Sequence, residues 1–157
     1  MTKKVDNTLI NQAFPPLTVD VELWQLKFFA KAVGETNPVY FDEAAAQRAG
    51  HRSILAPPTY AVTLSCAVPD PFARCRQLGM DVDNILHSKQ GFEYFAPIYA
   101  RDRITFVSTI LDVYEKGQGR FVFMVEETVA HNQFGELTTR FRQTVVEQCL
   151  ARRANQD

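Results

Sequence analysis

The sequence predicts an α+β domain in which a curved antiparallel β-sheet wraps around a central α-helix. An uncharged helical segment, 59–68, comes first, and long alternating strands follow after Asp83. Short turns join the last strands, as in an antiparallel meander. A helix with small and apolar residues around its whole circumference is normally buried on all sides. The simplest way to bury this helix is to wrap the sheet around it.

The strands are predicted from period-two alternation and from the turns between them. The predicted strands are 87–95, 103–114, 120–131 and 136–148, with a further edge strand at 17–19. A short helix at 72–78 precedes the main strands. Even-numbered residues from Ile104 to Ile110 share one face, so we expect one packed side and one side that is solvated or at an interface.

The first helix is predicted between Asp20, as its N-cap, and Gly34, as its stop. Val21, Trp24 and Phe28 recur at helical spacing and define the expected buried stripe. Because this stripe is apolar and the intervening positions include charged residues, we expect the stripe to face the core.

Two further helices are predicted from their end signals. Asp42 is placed to cap a short helix at 43–49, which Gly50 ends. Pro57 and Pro58 open the central helix, because proline is well tolerated where the N–H has no helical partner.

Composition bounds the class of protein. A chain of 157 residues fits a single domain, 1–157, and the net charge of −1 gives no reason to expect nucleic acid or an anionic membrane as partner. No stretch of about 18 apolar residues is present, so no membrane span is expected. Three scattered cysteines indicate free thiols in a reducing cytoplasm. No histidine pair has metal-ligand spacing, so neither a metal nor another cofactor is expected.

The segment Gly34-Glu35-Thr36-Asn37-Pro38-Val39-Tyr40-Phe41-Asp42 resembles the active-site segment of MaoC-like hydratases, whose pattern is Gly-Asp-x-Asn-Pro-x-His-x-Asp/Glu. Segments 12–17, 56–59 and 86–97 resemble other parts of that family, so the resemblance covers roughly 9–147. It implies the hot-dog fold. Because Glu35 and Tyr40 replace the Asp and His, the chain is similar to the N-terminal dehydratase-type half, which lacks that pair and partners a catalytic half.

In that family, the Asp and His add water to an enoyl thioester. Glu35 keeps a carboxylate that can act as a base if burial raises its pKa, although a helix-end carboxylate without chemistry is the favoured interpretation. Tyr40, with an ordinary pKa of about 10, can donate a proton but hardly accept one, and a phenol that fills the vacated site is favoured. Asn37 either holds water or a backbone group at the site or forms an Asx turn. Glu35 and Tyr40 are the candidate catalytic residues.

The start of the central helix is the candidate oxyanion site, because helix N-termini present free N–H groups and partial positive charge. Pro57 and Pro58 cannot donate. Ala56, Thr59 or Tyr60 would therefore supply the N–H that binds the thioester carbonyl.

Four other side chains are assigned ordinary roles. His87 is expected to be structural or exposed, and Cys66 to be a small core residue and not a nucleophile. Arg140 and Arg142 share one strand face, which is expected to be solvated, although either could contact a coenzyme A phosphate.

The resemblance implies a protein that binds acyl-CoA or acyl-carrier-protein thioesters, as a homodimer or as a heteromer with a catalytic hot-dog subunit that completes the chemistry. Three alternatives stay open. The first is a homodimeric hydratase that uses Glu35 as base and Tyr40 as proton donor. The second is a hot-dog thioesterase, and the third is an assembly subunit that binds no ligand.

Overall fold

A computed structural model of the protein describes residues 7–149. One antiparallel sheet holds five strands in the order β1-β3-β4-β5-β2. The strands are β1 (Leu17–Asp20), β2 (Ile85–Tyr94), β3 (Arg103–Lys116), β4 (Phe121–His131) and β5 (Leu137–Gln148). The predicted strands are confirmed, including the meander of β3, β4 and β5 and the edge strand β1. β2 lies at the other edge, beside β5.

The helices come mainly before the sheet and are short. They are α1 (Leu23–Ala32), α2 (Glu43–Arg48), α3 (Tyr60–Ser65) and α4 (Ala73–Gln77). The predicted cap of α2 is confirmed, because Asp42 Oδ1 accepts a hydrogen bond from the Ala45 N–H at 2.6 Å. Within residues 7–149, no helix has the length and apolar character needed to cross a membrane.

The predictions for the first helix were partly wrong. Asp20 belongs to β1, where it pairs with Arg103, and Glu22 is the residue before the helix. Trp24 and Phe28 are 66% and 70% exposed, so these two positions of the predicted stripe face solvent, whereas Val21, just before the helix, is buried as predicted. The helix instead buries Leu26 and, one turn later, Ala30. Both faces carry apolar residues, and only packing against the sheet selects between them.

Inward-facing side chains of the sheet form two apolar clusters. The first gathers around α3 and includes Leu26, Ile54, Tyr60, Leu64, Phe106 and Phe141. The second gathers beside α4 and includes Cys75, Leu78, Ile110, Met124 and Val145. The alternation of β4, in which every second residue from Val122 to Ala130 is buried, is the pattern of a strand with one packed face.

The central helix packs on the sheet by one face only. Tyr60, Ala61 and Leu64 are buried, whereas Thr63 and Cys66 are exposed. The prediction of a helix through Val68 that is buried on every side was therefore wrong, as was the core position of Cys66. Uncharged residues do not require burial, because small polar and apolar side chains are common on protein surfaces.

Asp102 connects three loops at one end of the sheet. Its carboxylate is fully buried and accepts hydrogen bonds from the Tyr99 N–H at 2.9 Å and from Gln133 Nε2 at 2.9 Å. It also pairs with Arg52, whose guanidinium stacks over the Tyr99 ring. A buried carboxylate held in this way fixes the loop that leads into α3 against the start of β3.

Candidate functional site

The backbone of Glu35 is fixed by the end of α1. Gly34 adopts a φ of +80°, a left-handed conformation that suits glycine. Its N–H donates to Lys31 O at 3.2 Å, and the Glu35 N–H donates to Ala30 O at 2.9 Å. These two bonds form a Schellman motif, so Gly34 ends the helix as predicted. The same bonds fix the backbone position of Glu35, whose side chain is half-buried.

Asn37 and Tyr40 lie in a single 3₁₀ turn, Pro38–Tyr40. The Asn37 side chain accepts a hydrogen bond from the Val39 N–H at 3.1 Å, which is the Asx-turn geometry. Asn37 is exposed and Tyr40 is half-buried. The turn is linked to the segment before α3, because the Leu55 N–H donates to Val39 O at 3.3 Å.

The structure brings Glu35 and Tyr40 close enough to interact electrostatically. Burial, and secondarily the negative charge of Glu35, raise the pKa of Tyr40 above its ordinary value of 10.0. Tyr40 is therefore a phenol at neutral pH. The pair combines one carboxylate with one proton donor and contains no histidine, the side chain whose ordinary pKa lies closest to neutral pH.

The start of α3 offers fewer free N–H groups than its sequence suggests. The Ala56 N–H donates to Ile98 O at 2.8 Å, and the Tyr60 N–H donates to Pro57 O at 2.9 Å. Of the three predicted N–H donors, that of Thr59 remains as the candidate, and the Thr59 residue is exposed. The Tyr60 ring packs edge-on against Phe29 of α1, with centroids 5.2 Å apart.

A cleft that is partly open to solvent lies alongside α3. Its rim includes Pro15, Cys66 and Pro71, which are exposed. The buried Phe106 and Phe141 form an apolar part of its floor.

The remaining floor of the cleft is polar. Four side chains form a polar belt across β3, β4 and β5: Ser108, Glu126, Thr128 and Gln143. Register pairs Ser108 with Thr128 and Glu126 with Gln143. The hydroxyl oxygens of Ser108 and Thr128 are 2.8 Å apart, and Gln143 Nε2 donates to Glu126 Oε2 at 2.5 Å.

Glu126 is the most buried charge of the cleft, with 1% of its surface exposed. Its Oε1 lies 2.6 Å from Arg74 Nη1. Burial raises the pKa of Glu126, while the Arg74 charge and the hydrogen-bonding groups of Gln143 and Ser108 act against that shift.

No prediction from the sequence identified the polar belt. Period-two alternation places Glu126 on the same face as Val122 and Met124, and Glu127 on the opposite face. A carboxylate at an inward position between apolar residues is the signal that could have identified it, since such a group is almost never buried without partners.

The predicted site residues do not line the cleft, and of the other residues singled out from the sequence only Cys66 does. His87 is exposed on β2, with Nε2 3.1 Å from Gln90 Oε1. Arg140 and Arg142 are paired with Glu93 at 3.1 Å and Glu127 at 2.7 Å. In residues 7–149, no group of His, Cys, Asp and Glu side chains is arranged to hold a metal ion.

Comparison with known proteins identifies relatives over nearly the whole chain. A family model described as FAS1-like, dehydratase domain region, matches residues 8–140. A UPF0336 protein from Streptomyces griseus is 31% identical over 153 residues, covering 97% of this chain and 98% of that protein.

Solved structures of the same shape include the HadBC (3R-hydroxyacyl-ACP dehydratase) complex from Mycobacterium tuberculosis. Its matching chain has a TM-score of 0.78 and 26% identity over 92% of this chain and 99% of that one. The ChsH1-ChsH2 complex from the same organism has a TM-score of 0.67 and 16% identity, covering 90% and 99%. An (R)-hydratase from A. caviae involved in PHA biosynthesis has a TM-score of 0.64 and 17% identity, covering 92% and 100%. These likenesses establish the hot-dog fold, and the family model, which matches residues 8–140, shows that this chain belongs to the FAS1-like dehydratase region family.

Proposed function

We propose that this protein binds acyl thioesters of coenzyme A or acyl carrier protein and takes part in their hydration or dehydration with a second hot-dog subunit. The observation that carries the proposal is the Glu35–Tyr40 pair. It occupies the positions where the related pattern has Asp and His, and it lacks the histidine of that pattern.

Hydration of a 2-enoyl thioester places the water oxygen on C3 and a proton on C2. A base must take the proton from water, and a donor must stabilise negative charge on the thioester oxygen. Glu35 is the one carboxylate of the pair, and Tyr40 stays protonated because its pKa is raised. The site therefore supplies a scaffold with weak acid–base chemistry, and a partner would supply the efficient pair.

Two observations support a partner. In the described part of the chain, β2 has β5 as its hydrogen-bonded neighbour and leaves its other edge open, which suits pairing with another strand. The related HadBC and ChsH1-ChsH2 structures are complexes of two named components. A homodimer and a heteromer are both compatible with an open edge. The mass of the assembly in solution would distinguish between them.

The test measures binding and turnover of crotonyl-CoA by the purified chain. We expect binding by calorimetry with little hydration, and a gain of about 10²-fold or more in the E35D/Y40H double variant, which installs the Asp/His pair. Y40F is the matched control, because it changes the same position without adding a base, and it should stay inactive. No binding would refute the proposal. A double variant with an unchanged hydration rate would show that the Glu35–Tyr40 pair has no part in the proposed function.

A second candidate is a self-sufficient hydratase, favoured by the closeness of Glu35 and Tyr40. Wild-type turnover at an ordinary enzymatic rate, abolished in E35Q and reduced about 10²-fold in Y40F, would establish it in place of the first. Release of free coenzyme A instead of a hydroxyacyl thioester would identify a thioesterase.

A further inference from the structure

The outer face of α1 carries two large apolar side chains next to each other. Trp24 and Phe28 are one turn apart, so their rings are neighbours on the helix surface. Both are mostly exposed, whereas Leu26 and Ala30, on the opposite side of the helix, are buried in the core. Val33, just past the helix, is also exposed. Single apolar residues on a surface are ordinary, but contiguous ones mark sites of interaction.

Two lysines flank the aromatic rings on the same side of α1. Lys27 and Lys31 are exposed and are also one turn apart. Within the described part of the chain, no residue forms an ion pair with either ammonium group. The stretch 23–34 contains no acidic residue, and Glu22 and Glu35 lie beyond its two ends. This face is therefore positive although the whole chain has a net charge of −1, and it matches a partner that presents carboxylates around an apolar surface.

We propose that the outer face of α1 docks an acyl carrier protein, which delivers its thioester to the neighbouring Glu35–Tyr40 pair. This inference rests on the proposed function and names the carrier protein, in preference to free coenzyme A, as the source of the acyl group. Carboxylates of the carrier protein would pair with the lysines while its apolar side chains cover the aromatic rings. We call these four residues the docking face: Trp24, Lys27, Phe28 and Lys31.

The shape of the docking face favours a protein over a small molecule. Small molecules bind in concave sites that bury most of their surface. The docking face is the outward surface of a helix, and none of its residues lines the cleft beside α3. Anchors at positions i and i+4 of a helix, here Trp24 and Phe28, are the pattern by which one protein fits a helix into a groove of another.

The size of the docking face indicates a partner that binds and leaves again. Two aromatic side chains of about 150 to 250 Å² each, at about two-thirds exposure, offer roughly 200 to 330 Å² of apolar surface. A stable interface buries about 800 Å² on each partner. The docking face is therefore too small to hold a permanent second copy of this chain, and it suits a carrier that arrives, reacts and departs.

α1 connects the docking face to the candidate site. Glu35 follows Phe28 by seven residues, which corresponds to roughly 10 Å along a helix. On the inner side of α1, the Phe29 ring packs against Tyr60 at the start of α3. A carrier protein on the docking face would therefore stand beside the Glu35–Tyr40 pair, within reach of a thioester on a flexible arm.

The experiment presents a crotonyl group to the purified wild-type chain on two carriers, a bacterial acyl carrier protein and coenzyme A, and measures both affinities by calorimetry. We expect crotonyl acyl carrier protein to bind at least about tenfold more tightly than crotonyl-CoA. Its affinity should fall as salt is added, because part of the attraction is between exposed charges.

Two double variants assign this preference to the docking face. W24A/F28A removes the two rings, and K27E/K31E reverses the two charges. Each should weaken binding of crotonyl acyl carrier protein by about tenfold or more and leave the affinity for crotonyl-CoA unchanged. K27R/K31R is the matched control, because it keeps both charges, and it should bind as the wild type does. All four side chains are exposed, so circular dichroism should show the same fold in every variant.

Equal affinity for the two carriers, or a preference for the carrier protein that both variants retain, would overturn the inference and leave the proposed function standing. A W24A/F28A variant with a smaller assembly mass than the wild type would also overturn it, because the face would then join copies of this chain. Binding to phosphatidylglycerol vesicles in place of the carrier protein would assign the face to a membrane surface instead. Binding of neither thioester would refute both the inference and the proposed function.

Discussion

Replacing Asp102 by alanine should destabilise the protein by about 3 kcal/mol. The substitution removes the acceptor of two hydrogen bonds, from the Tyr99 N–H and from Gln133, each with a net contribution of about 1 kcal/mol. The ion pair with Arg52 adds less than about 1 kcal/mol, because the Arg52 side chain is 45% exposed and screened by water. Leaving the Tyr99 N–H unpaired costs about 1 kcal/mol more.

Urea unfolding followed by far-ultraviolet circular dichroism measures this free energy directly. For a chain of this size, the expected loss corresponds to a decrease in melting temperature of about 6 to 12 °C. D102N should lose less, since its remaining carbonyl oxygen can still accept from Tyr99. R52A should lose less than about 1 kcal/mol.

The exposed Asp20–Arg103 ion pair provides the matched control. Its side chains are 56% and 63% exposed, so D20A should leave the unfolding midpoint unchanged. If D102A and D20A unfolded at the same urea concentration, burial would not distinguish the two carboxylates, and the reasoning would be refuted.

Three further predictions concern single residues. Burial raises the pKa of Glu126 above its ordinary 4.5, so the folded state holds this proton to higher pH than the unfolded state does. The free energy of unfolding of the wild type relative to E126Q should therefore fall as pH rises above 4.5. A difference that does not depend on pH would contradict this prediction. G34A should lower the free energy of unfolding in urea by about 1 kcal/mol, because alanine is strained at a φ of +80°. The added Cβ would meet no atom within 4 Å, so the loss would come from the backbone alone. An unchanged unfolding midpoint would exclude that strain. Burial raises the pKa of the Cys75 thiol to about 11, so iodoacetamide at about pH 8 should react first with the exposed Cys66. Mass spectrometry measures the order of labelling. Faster labelling of Cys75 would show that this thiol is not buried.

The sheet could be predicted from the sequence because its signals are local. Alternation marks the strands, and the glycine turns at 116–119 and 132–135 fix which strands are neighbours. The ends of α1 and α2 follow from Gly34 and Asp42 in the same way, since a cap depends on nearby backbone groups.

The parts that could not be predicted depend on distant contacts. Nothing local distinguishes the face of α1 with Trp24 and Phe28 from the face with Leu26, since all are apolar. The occupied N–H of Ala56 depends on Ile98 O, which belongs to a segment far along the chain. Glu126 becomes part of a cleft only because α3 is short and α4 brings Arg74 beside the sheet.

The outer position of Trp24 determines what the fluorescence of this protein reports. Trp24 is the only tryptophan in the sequence, and 66% of its surface is exposed. An indole already in water changes its emission little when the chain unfolds, so fluorescence would follow the core poorly. A molecule that settled on the outer side of α1 would remove water from this ring and shift its emission to shorter wavelengths. The same side chain that is a poor probe of unfolding is therefore a built-in reporter of association at α1.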